Sequence, residues 1–171
     1  MNSNQLKEDE YSSFYKNYIT ILGEINLLEV LNNSLENLIN TLKNLPEEKL
    51  QYRYEEGKWT IKELIQHIID AERVLSYRAL RFARNDATNL QGFDEDWYVK
   101  NSNGNDRDFD ELLNEFSLVR KATILLFKSF SNEMLTNTGS ANGSVVSVRA
   151  LGFIIAGHQI HHLNIIKEKY L

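Results

Sequence analysis

The sequence predicts an all-α four-helix bundle, on three observations. Apolar residues recur at steps of three and four along most of the 171 residues, there is a single proline, and good N-cap residues stand where the periodic stretches begin. The length is that of one domain, so 1–171 is read as a single unit. Its 42% hydrophobic and 25% charged residues are ordinary for a globular chain, and a domain of this size buries roughly 68–70% of its unfolded surface without cross-links. Residues 1–12 are polar and acidic, and are expected to be flexible or loosely docked.

In the first helix Ile25, Leu28, Leu31, Leu35, Leu38, Leu42 and Leu45 lie on one face. Pro46 ends it, because proline cannot continue the hydrogen-bond ladder without strain. The second helix opens on the capping box Thr60-Ile61-Lys62-Glu63, runs through Leu64, Ile68, Ala71, Leu75 and Ala79, and fades near Asn85. Residues 86–107 read as a long connection, with a short helical turn at Trp97 and Tyr98. Asp108 caps the third helix, whose apolar face is Phe109, Leu112, Phe116, Val119, Thr123, Leu126 and Phe130. Gly139, Asn142 and Gly143 are turn signals in the next connection, and Val145 and Val146 suit a short extended piece. Ser147 caps the fourth helix, from about Val148 onward. Long connections permit crossovers in such a bundle, and loops of this length are uncommon unless they serve a function.

Several function classes are excluded. There is no Cys, so disulfides, thiolate metal sites and cysteine nucleophiles are absent. The net charge is −5, and no run of Lys or Arg exceeds two, which argues against nucleic acid as a partner. No apolar stretch approaches the ~18–20 residues of a membrane span. Met1 to Glu10 lacks the apolar core of a secretion signal, so a cytoplasmic location is expected.

Chemistry is suggested by the histidines. Of four, three fall within five residues: His158, His161 and His162. His158 and His162 form an i, i+4 pair on the stripe of Leu151, Ile155 and Ile165, with Cβ atoms ~5–6 Å apart on one helix face. Two imidazoles so placed can share a divalent ion. His67 sits beside Leu64, Ile68, Ala71 and Val74 on the bundle-facing side of the second helix and offers a third donor. Asp70 or Glu63 can accept the other N–H of a ligating histidine, which would fix its tautomer. His161 lies at the edge of the face and is left over.

With these segments in view, the chain resembles the DinB/YfiT-like superfamily of four-helix-bundle proteins. The resemblance rests on Gly57-Lys58-Trp59-Thr60-Ile61-Lys62-Glu63-Leu64-Ile65-Gln66-His67-Ile68-Ile69-Asp70-Ala71-Glu72, on Val148-Arg149-Ala150-Leu151, and on Gly157-His158-Gln159-Ile160-His161-His162; it covers about residues 20–171. It implies an up-down-down-up bundle, often dimeric, with His67, His158 and His162 as ligands to zinc or nickel. It also implies an enzyme of the kind represented by thiol-dependent S-transferases and isomerases, which use a low-molecular-weight thiol. Lacking Cys, this chain would take its thiol from outside.

Three protein ligands leave a divalent ion an open position, the catalytic pattern, whereas structural zinc is normally closed by four. Two reactions suit such a site: attack by a metal-activated external thiol, or metal-dependent hydrolysis. A non-catalytic metal-binding stress-response module is the alternative. Asp70, Glu63 and Asp96 are candidate bases, none of them placed by spacing alone. Trp59, Tyr77, Arg78 and Trp97 are candidate pocket residues, with Trp59 also suited to a hydrophobic staple. Arg149, in the first turn of the fourth helix, suits pairing with a carboxylate or an anionic substrate. A second apolar stripe on that helix, Phe153, Ala156, Ile160 and Leu163, is a candidate homodimer interface, the alternative being burial by the 86–107 connection or the N-terminal segment.

Overall fold

Short polar side chains start the long helices, three of them where the sequence places a cap. The computed structural model describes residues Met1–Leu171. Its helices are α1 (Lys16–Thr20), α2 (Leu27–Leu42), α3 (Glu47–Leu50), α4 (Ile61–Ala83), α5 (Glu95–Lys100), α6 (Phe109–Lys128), α7 (Asn132–Thr136) and α8 (Val148–Lys169). A two-stranded hairpin, β1 (Thr138–Ala141) and β2 (Ser144–Ser147), precedes α8. Asn26, Thr60, Asp108 and Ser147 accept hydrogen bonds from first-turn amides of α2, α4, α6 and α8. Asn85, at φ 57°, supplies the left-handed residue just past α4.

The four long helices form the bundle, with α4 against α6 and α8, and α2 against α6 and α8. Contacts along each pair set the directions. Gln66 and Glu72 of α4 meet Arg107, just before α6, and Arg120 within it, so these two helices run parallel. His67 of α4 meets His158 of α8, while Trp59, just before α4, meets Tyr170, just after α8; this pair is antiparallel. Helix α2 runs with α8, as Leu27 lies by Gly152 and Asn37 by Lys167.

The core has two apolar clusters. One holds Leu31, Phe82, Phe127, Phe153 and Ile154; the other holds Leu38, Ile61, Ile65, Leu112, Phe116 and Leu163. Where they meet, each long helix contributes one buried polar residue: Ser34, Glu72, Arg120 and Gln159. The Arg120 guanidinium donates to Glu72 through Nε (2.8 Å) and Nη2 (2.9 Å). Its Nη1 donates to Ser34 Oγ (2.7 Å), the Leu31 carbonyl (3.1 Å) and Gln159 Oε1 (3.3 Å). The burial stripe of α6 therefore passes through Arg120, and Val119 and Leu126 are only half-buried.

The helical bundle carries one small hairpin where the turn signals and Val145-Val146 place an extended piece: the Asn142-Gly143 turn, at φ 52° and 73°, closes β1 and β2, since both positions need the left-handed region. The 86–107 connection is tied to that hairpin, Leu90 exchanging backbone bonds with Ser140 (2.9 Å) and Asn142 (3.0 Å). Residues 1–12 are tied down rather than loosely docked. Leu27 N donates to the Met1 carbonyl and Ser3 N to the Ile25 carbonyl, each at 3.0 Å, and Glu10 accepts from Ser147 Oγ and Arg149. Arg149 is thereby matched with a carboxylate of the chain itself.

The apolar stripe on α8 is largely covered within the chain, Ile160 alone staying half-buried. Phe153 and Ala156 are fully buried and Leu163 is 1% exposed within the single chain. Helix α1 lies along α8 at Gly157, where a Cβ would collide with the Tyr18 carbonyl. A helix apolar on all sides is a buried helix, and α8 is covered by α1, α2 and α4. No helix is long and apolar enough to cross a membrane.

Candidate metal centre

The Thr60 capping box fixes the register of α4: Thr60 Oγ1 accepts from Glu63 N (3.1 Å), and Glu63 Oε2 accepts from Thr60 N (2.8 Å). His67 follows seven residues on, directed at α8. The Ser147 cap does the same for α8, placing His158 and His162 one turn apart and facing α4. Three ring nitrogens converge there. His67 Nε2 lies 2.9 Å from His158 Nε2, and His162 Nε2 lies 3.1 Å from His158 Nε2.

This spacing fits a shared divalent ion. Metal–nitrogen bonds of ~2.0–2.1 Å at a tetrahedral angle put ligand nitrogens roughly 3.3 Å apart. The protonation state fits as well. Burial pushes His67 down to about 4 and His162 to about 3. It pushes His158 well below the ordinary histidine range, helped by the neighbouring imidazoles and by Arg120. All three are neutral at pH 7, as ligation requires. His162 Nδ1 is buried without a hydrogen-bond partner.

Neighbouring rings hold the histidines in place. Trp59 packs 4.8 Å from His67, and Tyr18 meets His158 edge-on at 5.5 Å. His161 lies outside the nitrogen cluster, its ring packed against Tyr18 at 5.3 Å and against His162 at 5.2 Å. The three clustered imidazoles form one wall of a cavity of about 240 Å³. Helix α4 adds Ala71, Leu75 and Arg78, and the N-terminal segment (Phe14, Tyr15, Tyr18), the 86–107 connection (Phe93, Glu95) and the hairpin (Ala141, Asn142, Ser144) line the other sides.

The carboxylates singled out from the sequence lie elsewhere. Glu63 is spent on the helix cap and also accepts from Arg53 (3.0 Å) and Asn105 (2.8 Å). Asp70 accepts from Gln66 (3.0 Å) and faces another depression beside Trp97; burial raises its pKa. Neither bonds His67. Asp96 is exposed on the first turn of α5. The acidic residue lining the cavity is Glu95, its neighbour in sequence. Of the candidate pocket residues Trp59 and Arg78 line the cavity, whereas Tyr77 and Trp97 are 51% and 59% exposed outside it. Sequence reasoning missed the N-terminal aromatics, though Tyr11, Phe14, Tyr15 and Tyr18 already stand at helical spacing.

The sign of the pH effect follows from these histidines. Their folded pKa values lie below the unfolded value of about 6.5, so the unfolded chain binds more protons and stability falls as pH drops. In metal-free protein the urea midpoint should fall between about pH 7 and about pH 5. Glu10 and Glu115, held below the ordinary carboxylate range by their arginines, titrate only at lower pH. Asp70 acts with the opposite sign, so the measurement belongs in an Asp70→Asn background. An unchanged midpoint there would contradict the neutral buried cluster.

Comparison with known proteins agrees with this architecture. No curated protein matches the chain. YfiT from Bacillus subtilis, a probable metal-dependent hydrolase with an unusual four-helix bundle topology, superposes with a TM-score of 0.77. The match covers 96% of this chain and 90% of YfiT at 13% identity, a likeness of fold. The family model of the DinB superfamily matches residues 31–166, a span that contains all three clustered histidines, and the chain therefore belongs to the DinB superfamily.

Proposed function

We propose that this protein is a divalent-metal-dependent hydrolase of a small molecule, with His67, His158 and His162 as the metal ligands and zinc or nickel as the ion. The observation that carries the reading is the convergence of three neutral imidazole nitrogens on the wall of an aromatic-lined cavity. The fold likeness to YfiT supports it. An ion held there supplies Lewis-acid polarisation of a scissile bond and a nucleophile drawn from water near neutral pH. The rest falls to the chain. Neutral ligands leave the charge of the ion uncompensated, Trp59 and Tyr18 restrain the ligand rings, and Glu95 is the carboxylate available to take a proton.

Transfer to an external low-molecular-weight thiol is the second reading. It is favoured by one feature: the buried lining of the cavity has no carboxylate, and a coordinated thiol loses its proton without a base. Untagged protein analysed for metal content, then assayed on esters and amides with and without small thiols, separates the readings. Turnover without thiol is expected. Strict thiol dependence assigns S-transfer. Protein that binds neither Zn²⁺ nor Ni²⁺ and is not stabilised by them refutes both.

A further inference from the structure

Arg78 is a buried cation that the fold does not neutralise. It lies on α4, is 4% exposed and lines the same cavity as the histidines. The other deeply buried arginine, Arg120, is held by both oxygens of Glu72. Arg78 has a single protein acceptor, the Gln91 carbonyl, 2.8 Å from Nη2, and no ion pair; the exposed Glu95 makes none with it. Buried charges are normally paired, because an isolated one is costly. None of its nitrogens is both sealed off and unpartnered, and the residue lines the cavity, so unused N–H groups remain for a ligand there.

The position of Arg78 relative to the histidines defines a ligand. His67 and Arg78 are eleven residues apart on α4, about three turns or roughly 16 Å along the axis. Side chains on a helix lean toward its N-terminus, so the guanidinium overhangs the turn of Leu75, on the histidine side. Ala71 and Leu75 line the cavity between the two ends, and Phe93 and Tyr18 line it as well. We propose that the cavity binds a small carboxylate-bearing substrate, with its anion on Arg78, its apolar body over Ala71 and Leu75, and its reactive group at the histidines. A guanidinium fork matches a carboxylate with two parallel hydrogen bonds, and a single cation suits a single anionic group. The reactive end rests on the metal-centre reading; the anion site does not.

The test compares phenylacetate, 3-phenylpropanoate and 4-phenylbutanoate with their amides by calorimetric titration, on metal-free and on Zn²⁺-loaded protein. At least one acid should bind about tenfold more tightly than its amide in both forms, since hydrogen bonds to charged groups are the stronger ones. Arg78→Gln should abolish that preference with metal content unchanged, and Arg78→Lys should keep part of it. Equal binding of acid and amide, no binding of any acid, or a preference that survives Arg78→Gln would overturn the proposal. If Arg78→Gln does not fold, Arg78→Lys and the acid–amide comparison on wild type decide it. A preference seen only in loaded protein places the carboxylate on the metal and also overturns it. Should the protein bind no metal at all, the metal-free titration still stands, so failure of the two readings is distinguishable.

Discussion

His158→Ala should remove metal binding almost entirely, lowering affinity on the order of 100-fold or more, given that even partners outside the ligand set are worth 10–100-fold. His158 is the centre of the cluster. Its Nε2 is the atom that both other imidazoles approach, at 2.9 and 3.1 Å, so its loss leaves two nitrogens with no common focus. His161→Ala is the control: that ring packs against His162 but lies outside the nitrogen cluster, so its loss should cost far less affinity than that of His158. Titration of metal-free protein with Zn²⁺ measures both. The fold should persist in His158→Ala, because a buried neutral imidazole is being replaced by an apolar group and Gln159 with Arg120 stays in place beside it. Equal affinity in wild type and His158→Ala would exclude the His67–His158–His162 site; an unfolded variant would show that the cluster is structural.

The largest effect on stability is expected at Arg120. Arg120→Met strands the Glu72 carboxylate in the centre of the bundle, 2% exposed and without a cation, and breaking a buried pair in this way costs about 3–5 kcal/mol. The double variant Arg120→Met with Glu72→Leu removes both charges and should recover most of that loss, because apolar replacements of a buried pair are often neutral. Ser34, the Leu31 carbonyl and Gln159 lose a donor in both variants, so recovery should be incomplete. Urea denaturation of the three proteins measures the coupling. A single variant within about 1 kcal/mol of wild type would mean that water reaches Glu72, contrary to its burial.

The long helices were legible because their signals are local. Thr60 with Glu63, Asp108 and Ser147 cap helices as their side-chain chemistry dictates, and the apolar stripes of α2 and α4 run where their spacing puts them. The stripe on α6 is incomplete as read from apolar residues: Val119 and Leu126 pack at the edge of the core, and Arg120 is inside because Glu72, 48 residues earlier, is there to meet it. The second stripe on α8 reads from the sequence as surface to be covered, by a second copy or by the N-terminal segment, and the fold covers most of it from within the chain. Part of that cover is α1, too short at five residues to announce itself by periodicity.

The metal-centre candidates show the same division. The i, i+4 spacing of His158 and His162 follows from helix geometry, and the apolar neighbours of His67 put it on an inward face, so the donor set and the helical frame belong to the sequence alone. What completes the cavity is decided by tertiary structure. Tyr18, Phe93, Glu95 and Asn142 come from an N-terminal segment, a connection and a hairpin, whose positions depend on backbone pairing between remote residues, as at Leu90 and Ser140. Glu95 rather than Asp96 lines the cavity because the Asp94 cap starts α5 at a particular rotation. Arg78 lacks a counter-charge for a reason that no single segment contains: when the helices pack, no carboxylate arrives beside it, whereas one arrives beside Arg120.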